Sequence, residues 1–267
     1  MKFKLYKVTL TMSVLLLVVL SGCGGPSSLT KDKNGLPAAD ELLQKSSEQF
    51  DLIHSYEIKG QQTYREYDTP EQQETAPWNN ITILDQYNKE PFLWYMEQTY
   101  EEGWEYKIYI TEPYGLLFHM GLDYWEQWGK KDEEHTTKEV EAKKQSINPF
   151  LAALQVEKTN MTVNQDKDNY TLIITGSLHE EPKQDESTDD APILDIPRYT
   201  ILKQTFTIDK KTLLPMQQVD DYEEQLDFSG DITYVEGTRT RTYQYNQLDE
   251  QAITSTIEEI IESKLTK

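Results

Sequence analysis

Cysteine is almost missing from this chain: Cys23 is the single thiol in 267 residues. One cysteine makes no intrachain disulfide, no thiolate cage for a metal and no redox pair. Histidine is scarce as well. His54, His119, His135 and His179 are scattered, with no HExxH and no pair at metal-ligand spacing, so nothing points to a zinc centre. Basic residues are in deficit, with 26 Lys and Arg against 47 Asp and Glu and a formal charge of -21. Such a surface repels itself and keeps the chain soluble. It lacks the basic patches that nucleic-acid binding needs, and it disfavours flat adhesion to an anionic leaflet. The 12 glycines form neither GxGxxG nor GxxxxGK[ST], and no GxSxG elbow exists, which removes the common phosphate cradles and a hydrolase nucleophile. Carboxylate pairs such as Asp220-Asp221, Glu223-Glu224 and Glu258-Glu259 are expected by chance in so acidic a chain, and adjacent strand residues face opposite sides. The reading is a non-enzyme with no metal and no cofactor.

A hydrophobic run long enough to span a bilayer is also lacking. The run from Leu10 to Leu20 falls short of the roughly 20 residues a spanning helix needs. It is preceded by Lys2, Lys4 and Lys7 and followed by Leu20-Ser21-Gly22-Cys23. A basic start, a short apolar middle and small residues at a cleavage site make a secretory signal. Cysteine at the first mature position makes the tetrapeptide resemble a bacterial lipobox closely. The expected product is cut before Cys23, carries diacylglycerol on that thiol, and is held at the outer face of the cytoplasmic membrane. One acyl chain anchors only marginally and two anchor stably; lipoprotein maturation supplies at least two. The membrane, reached through lipidated Cys23, is the expected partner.

The chain divides into a signal peptide (1–22), a lipidated flexible tether (23–36) and a single domain (37–267). Glycine, proline, serine and alternating charge give the tether no core, and its typical reach is roughly 20 Å. From Ala38 to Leu52 apolar residues recur at helical spacing. The period then switches to two, predicting strands through Tyr67 and at Ile81–Tyr87, Pro91–Tyr100, Trp104–Thr111 and Leu116–Met120, with a short continuation at Tyr124–Trp128. Residues 138–145 read as a charged helix, and Asn148-Pro149 starts another. Further strands are expected at Met161–Asn164, Tyr170–Ser177, Tyr199–Asp209, Leu214–Glu223, Phe228–Val235 and Thr238–Leu248, then a helix at Ile253–Leu265. The acidic stretch 179–191 reads as a solvated loop that does not match the calcium-loop pattern. Consecutive strands with short turns give an antiparallel sheet, and a large one curls because twist accumulates.

Three stretches carry a family resemblance. They are the lipobox with the opening helix PAADELLQKSSEQFDLIHSYEIKG, the hairpin TFTIDKKTLLPMQQVDDYEEQ, and the ending AITSTIEEI. Together they resemble the LolA, LppX and LprG family of lipoprotein and lipid carriers, and within it a branch found in Bacillus-like bacteria. The resemblance implies an α+β fold: a curled antiparallel half-barrel whose concave face is closed by a few amphipathic helices. It also implies a cavity for acyl chains. Alternation on the strands nominates Trp104, Tyr106, Ile108, Ile110, Leu172, Ile174, Phe206 and Ile208 as its lining. The same residues would equally fill a packed core, since aromatic and branched side chains favour strands. Relatives of the LolA type are soluble shuttles, whereas this chain has its own lipobox, which favours fixed binding or hand-off. The alternative function is an envelope interaction or structural lipoprotein acting through its acidic surface or a sheet edge.

Overall fold

The computed structural model describes residues 29–112, 114–121, 125–128, 134–155, 160–179, 200–228 and 231–264. Cys23 and its neighbours Leu20, Ser21 and Gly22, and the acidic stretch from 180 onward, lie outside them. The first helix, α1 (Ala39–Phe50), carries Asp40 and Glu41 in its first turn, where the helix dipole favours negative charge. Leu42, Leu43, Ser46, Ser47 and Phe50 form its buried face, the stripe of an amphipathic helix.

Strands follow in two meanders. The first is β1 (Ser55–Tyr67), β2 (Asn79–Asn88), β3 (Leu93–Tyr100), β4 (Glu105–Thr111), β5 (Gly115–Met120) and β6 (Glu126–Trp128). Two helices interrupt, α2 (Glu134–Ser146) and α3 (Leu151–Gln155). The second meander is β7 (Asn160–Gln165), β8 (Asn169–His179), β9 (Thr200–Asp209), β10 (Pro215–Phe228) and β11 (Asp231–Tyr245), and the chain closes with α4 (Glu250–Lys264). All 11 strands join one sheet in the order β6-β5-β4-β3-β2-β1-β11-β10-β9-β8-β7. Each meander pairs antiparallel with itself, and β1 pairs with β11 to join them. This is the α+β half-barrel expected from the sequence.

The two longest strands differ from expectation. The sequence predicts a break near Glu236-Gly237, yet β11 runs straight through. A Cβ on Gly237 would lie 2.7 Å from the Tyr222 hydroxyl and 2.4 Å from the Thr63 carbonyl. Glycine is there to admit the neighbouring strands, not to turn the chain.

The described part of the predicted tether carries local structure. Asp32 accepts hydrogen bonds from the backbone N–H groups of Asn34 and Leu36, and Gly35 takes the left-handed conformation at φ 79° that glycine adopts freely. Lys31 bridges Pro37, and Leu29 packs on the core beneath α1. Residues 29–36 therefore belong to the folded body.

Strand alternation gives the sheet two faces. The inner face is covered by α1 and α3 over β7 and β8, and by α2 over β4 and β5. Asn148, at the start of α3, donates to the Ser47 carbonyl and hydroxyl and to Asp51, which ties α3 to the end of α1. The outer face carries α4: Ile257 and Ile260 pack with Leu93, Tyr95, Tyr109, Leu117 and Trp125. Helical cover is thus divided between both faces rather than confined to the concave one.

Candidate functional site: a polar belt between two apolar clusters

The inner face is apolar at both ends. Under α1 and α3, Leu172, Ile174, Phe206 and Ile208 are fully buried with Leu42, Phe50 and Phe150. Each helix here presents a matching apolar stripe, so this end is a closed core. Under α2 a second cluster gathers Phe92, Trp94, Ile108, Ile110, Leu116 and Phe118.

The cover over that second cluster is of another kind. Helix α2 reads EHTTKEVEAKKQS, and among its described side chains only Val140 is buried. Burying one valine contributes about 1.5–3 kcal/mol. Two lysines add a cationic hold. Lys143 Nζ lies 3.4 Å from the centroid of the Trp94 ring, and Lys144 Nζ 5.2 Å from that of Phe92. Lys144 also meets Glu112 at 2.7 Å. A cation over an aromatic face adds about 0.5–2 kcal/mol. The cluster thus offers far more apolar surface to its cover than the cover returns.

Of the eight residues nominated by alternation, the structure separates rather than unites them. Leu172, Ile174, Phe206 and Ile208 lie in the closed core. Ile108 and Ile110 lie under α2, with Tyr106 partly buried against them. Trp104 stands at the rim, 40% exposed, with Tyr100 at 4.8 Å and Tyr106 at 6.4 Å between ring centroids. The row Ile110, Ile108, Tyr106, Trp104 therefore runs from beneath α2 to solvent. Burial raises the Tyr106 phenol to about 12.

Between the two clusters lies a feature that hydrophobic alternation overlooks. Four side chains stand in register on four adjacent strands: Gln62, Arg239, Asp220 and Gln204. The next row toward α1 contains Gly60, Arg241 and Gln218. Asp220 is fully buried, and Gln204, Gln218, Gln62 and Arg239 are buried with it. Asp220 accepts from Gln204 at 3.0 Å and from Gln218 at 2.9 Å. Arg239 Nη2 lies 3.4 Å and Arg241 Nη1 3.6 Å from its Oδ2. Apolar neighbours close the first row at both ends, Ile81 beside Gln62 and Ile174 beside Gln204. The belt reaches toward α2 through Asp85. That carboxyl accepts from the Trp94 indole at 2.9 Å; burial raises its pKa, against the pull of Lys143 and Arg241. Burial likewise pushes Tyr56 and Tyr243 up.

A buried carboxylate with two guanidinium groups is a poor stability device, because apolar residues of similar volume would serve as well or better. The signal was present in the sequence as TRTR at 238–241: period two places Arg239 and Arg241 on one face, opposite Asp220 and Gln218.

A separate cleft of about 370 Å³ opens on the outer side, between Asn88, Pro91 and Leu93 of the β2–β3 connection and Glu250, Ile253 and Thr254 of α4. Among the described residues, no group of three or more His, Cys, Asp or Glu could hold a metal ion. No described helix is long and apolar enough to cross a membrane.

No curated protein matches the sequence. Among solved structures, the chain is similar to lipoprotein LppX of Mycobacterium tuberculosis, at 12% identity over 79% of this chain and 96% of that one, with a TM-score of 0.41. It is also similar to a chain of the MucA/MucB complex of Pseudomonas aeruginosa, at 12% identity over 80% of this chain, spanning 59% of that one, with a TM-score of 0.31. The model of one family, DUF6612, a family of unknown function, matches residues 38–254, and the chain belongs to that family.

Proposed function

We propose that this protein is a lipid-anchored, extracytoplasmic binding protein that takes an apolar ligand, such as an acyl chain, against the inner face of β3–β5. Helix α2 is its displaceable cover. The anchor is Cys23, read from the lipobox pattern Leu20-Ser21-Gly22-Cys23.

One observation carries the binding reading: a buried cluster of Phe92, Trp94, Ile108, Ile110, Leu116 and Phe118 lies beneath a helix that, among its described side chains, returns a single buried valine. A helix evolved only to seal a core would carry an apolar stripe, as α1 does. A polar cover is cheap to lift, and the surface it exposes gains most by burying hydrocarbon. The row from Ile110 to the half-exposed Trp104 gives a chain a path from interior to rim. The fully packed end under α1 and α3 is the fixed scaffold, and its four nominated residues are core.

The test is native mass spectrometry of the protein purified from envelopes in mild detergent. The reading expects a co-purified lipid that leaves when α2 is crowded by Val140→Trp. A bare protein mass, together with cross-linking to a single envelope protein, would favour the interaction-lipoprotein alternative instead.

A further inference from the structure

We propose that the outer cleft between the β2–β3 connection and α4 binds a primary ammonium group carried on a short apolar body, as in a free alkylamine or a lysine side chain. The cleft lies on the face opposite the lipid site and does not depend on it.

The cleft has two kinds of wall. Pro91 and Leu93 on the sheet side and Ile253 on α4 are apolar, whereas Thr254 and Ser255 bring hydroxyl groups. Its volume of about 370 Å³ is at the small end of ligand pockets, which span roughly 300–1,000 Å³. The occupant is therefore small.

Asn88 is the observation that points to a ligand. It lines the cleft and is 3% exposed. Its Nδ2 donates to the Pro91 carbonyl at 3.0 Å, and that bond assigns the nitrogen end of the amide. The other end, Oδ1, has no hydrogen-bond partner among the described residues. A buried acceptor left unpaired in a native fold calls for a donor.

The charge of that donor follows from its surroundings. Of the residues lining the cleft, Glu250 alone is charged. Its Oε1 meets His54 Nε2 at 3.6 Å, well beyond the roughly 2.7–2.9 Å of a strong charge-assisted bond. The positive end of α4 does not call for an anion, because Asp249 caps it. The Ala252 N–H donates to Asp249 Oδ1 at 3.1 Å and the Ile253 N–H to the Asp249 carbonyl at 3.2 Å. A chain of formal charge -21 also draws cations and repels carboxylates. A primary ammonium is a compact charge with three donors. Glu250, the Asn88 carbonyl and a hydroxyl of α4 can take them, with the carbon chain against Pro91, Leu93 and Ile253.

The experiment titrates the full chain, in nonionic detergent, with butylamine, 1-butanol and butyrate, and follows binding by ligand-observed NMR. The three probes share one tail and differ in the head. Butylamine should bind about fivefold or more tightly than 1-butanol, and butyrate most weakly. Nα-acetyl-lysine methylamide is the fourth probe: tighter binding than butylamine assigns the ammonium to a protein's lysine, and weaker binding assigns it to a free amine. Glu250→Gln should bring the butylamine to 1-butanol ratio close to one. Thr254→Trp, at a half-exposed helix position, fills the cleft and should abolish the preference. A preference that survives Thr254→Trp is general attraction to an acidic surface and overturns the site. Equal affinity of the native protein for butylamine and 1-butanol also overturns it, and that comparison needs no variant.

Discussion

The ammonium of Lys143 stands 3.4 Å over the ring of Trp94, and the indole N–H on the other side of that ring system donates to Asp85 at 2.9 Å. One tryptophan thus links the cover helix to the polar interior. Lys143→Ala removes a contact worth about 0.5–2 kcal/mol from a helix in which Val140 is the one buried side chain among those described. The rate at which an apolar dye enters the protein should rise several-fold, with the Trp94 emission shifting alongside. The unfolding midpoint in urea should move little. Stopped-flow fluorescence checks the first, and an unchanged entry rate counts against α2 as the moving part.

The neighbouring carboxylates Asp220 and Asp221 should behave oppositely. Asp220 is fully buried between Arg239 and Arg241, whereas Asp221 faces outward, 44% exposed, near Thr238 and Lys203. Asp220→Ala leaves the buried Arg239 and the half-buried Arg241 without a shared counter-charge and should cost about 3–5 kcal/mol. Asp221→Ala should stay within about 0.5 kcal/mol. Urea denaturation of both variants measures the difference; similar losses would mean that the belt is not buried as described.

Asp85 predicts a pH dependence. Burial raises its pKa above the ordinary 3.8, so the folded state holds this proton more tightly than the unfolded state does. Stability from this group is fully present below the unfolded value and is lost as pH rises through the folded one. Asp85→Asn keeps an acceptor for the Trp94 indole and removes the titration. Relative to the native protein, the variant should gain stability between pH 4 and pH 7. Denaturation curves that shift in parallel at both pH values would contradict this.

On the outer face, Ile257 is 1% exposed among Leu93, Tyr95 and Leu117. Ile257→Ala should cost about 2–5 kcal/mol and leave lipid binding on the inner face intact. Binding lost in parallel with stability would show that the two faces are not independent.

Much of the fold was legible because strand alternation is read locally. Tyr106, Ile108 and Ile110 lie on one side of β4, as alternation predicts, with Trp104 just before the strand, and Ala39–Phe50 is readable by its helical spacing. What alternation could not supply was the partner of each face. Ile108 lies beneath a charged helix and Ile208 beneath an apolar one, and no local pattern separates them. The belt was missed for a related reason. Gln62, Gln204, Asp220 and Arg239 look solvent-facing singly; the consecutive hairpins of β9, β10 and β11 align three of them, and the β1–β11 closure across the chain adds Gln62 to the row. Gly237 misled in the same way, since its neighbour Tyr222 is remote from its immediate sequence. Asp32-Lys33-Asn34-Gly35, read as linker composition, is a turn held by the Asp32 carboxylate, whose pKa backbone hydrogen bonding, chiefly from Leu36, lowers.

The most direct measurement is photo-crosslinking of the full chain with a diazirine-bearing fatty acid, followed by mapping of the labelled peptides. The account predicts labels on the inner-face positions of β3–β5, Trp94, Met96, Ile108 and Phe118, and on α2 near Val140. Labels confined to the outer cleft between the β2–β3 connection and α4, or none at all, would contradict it.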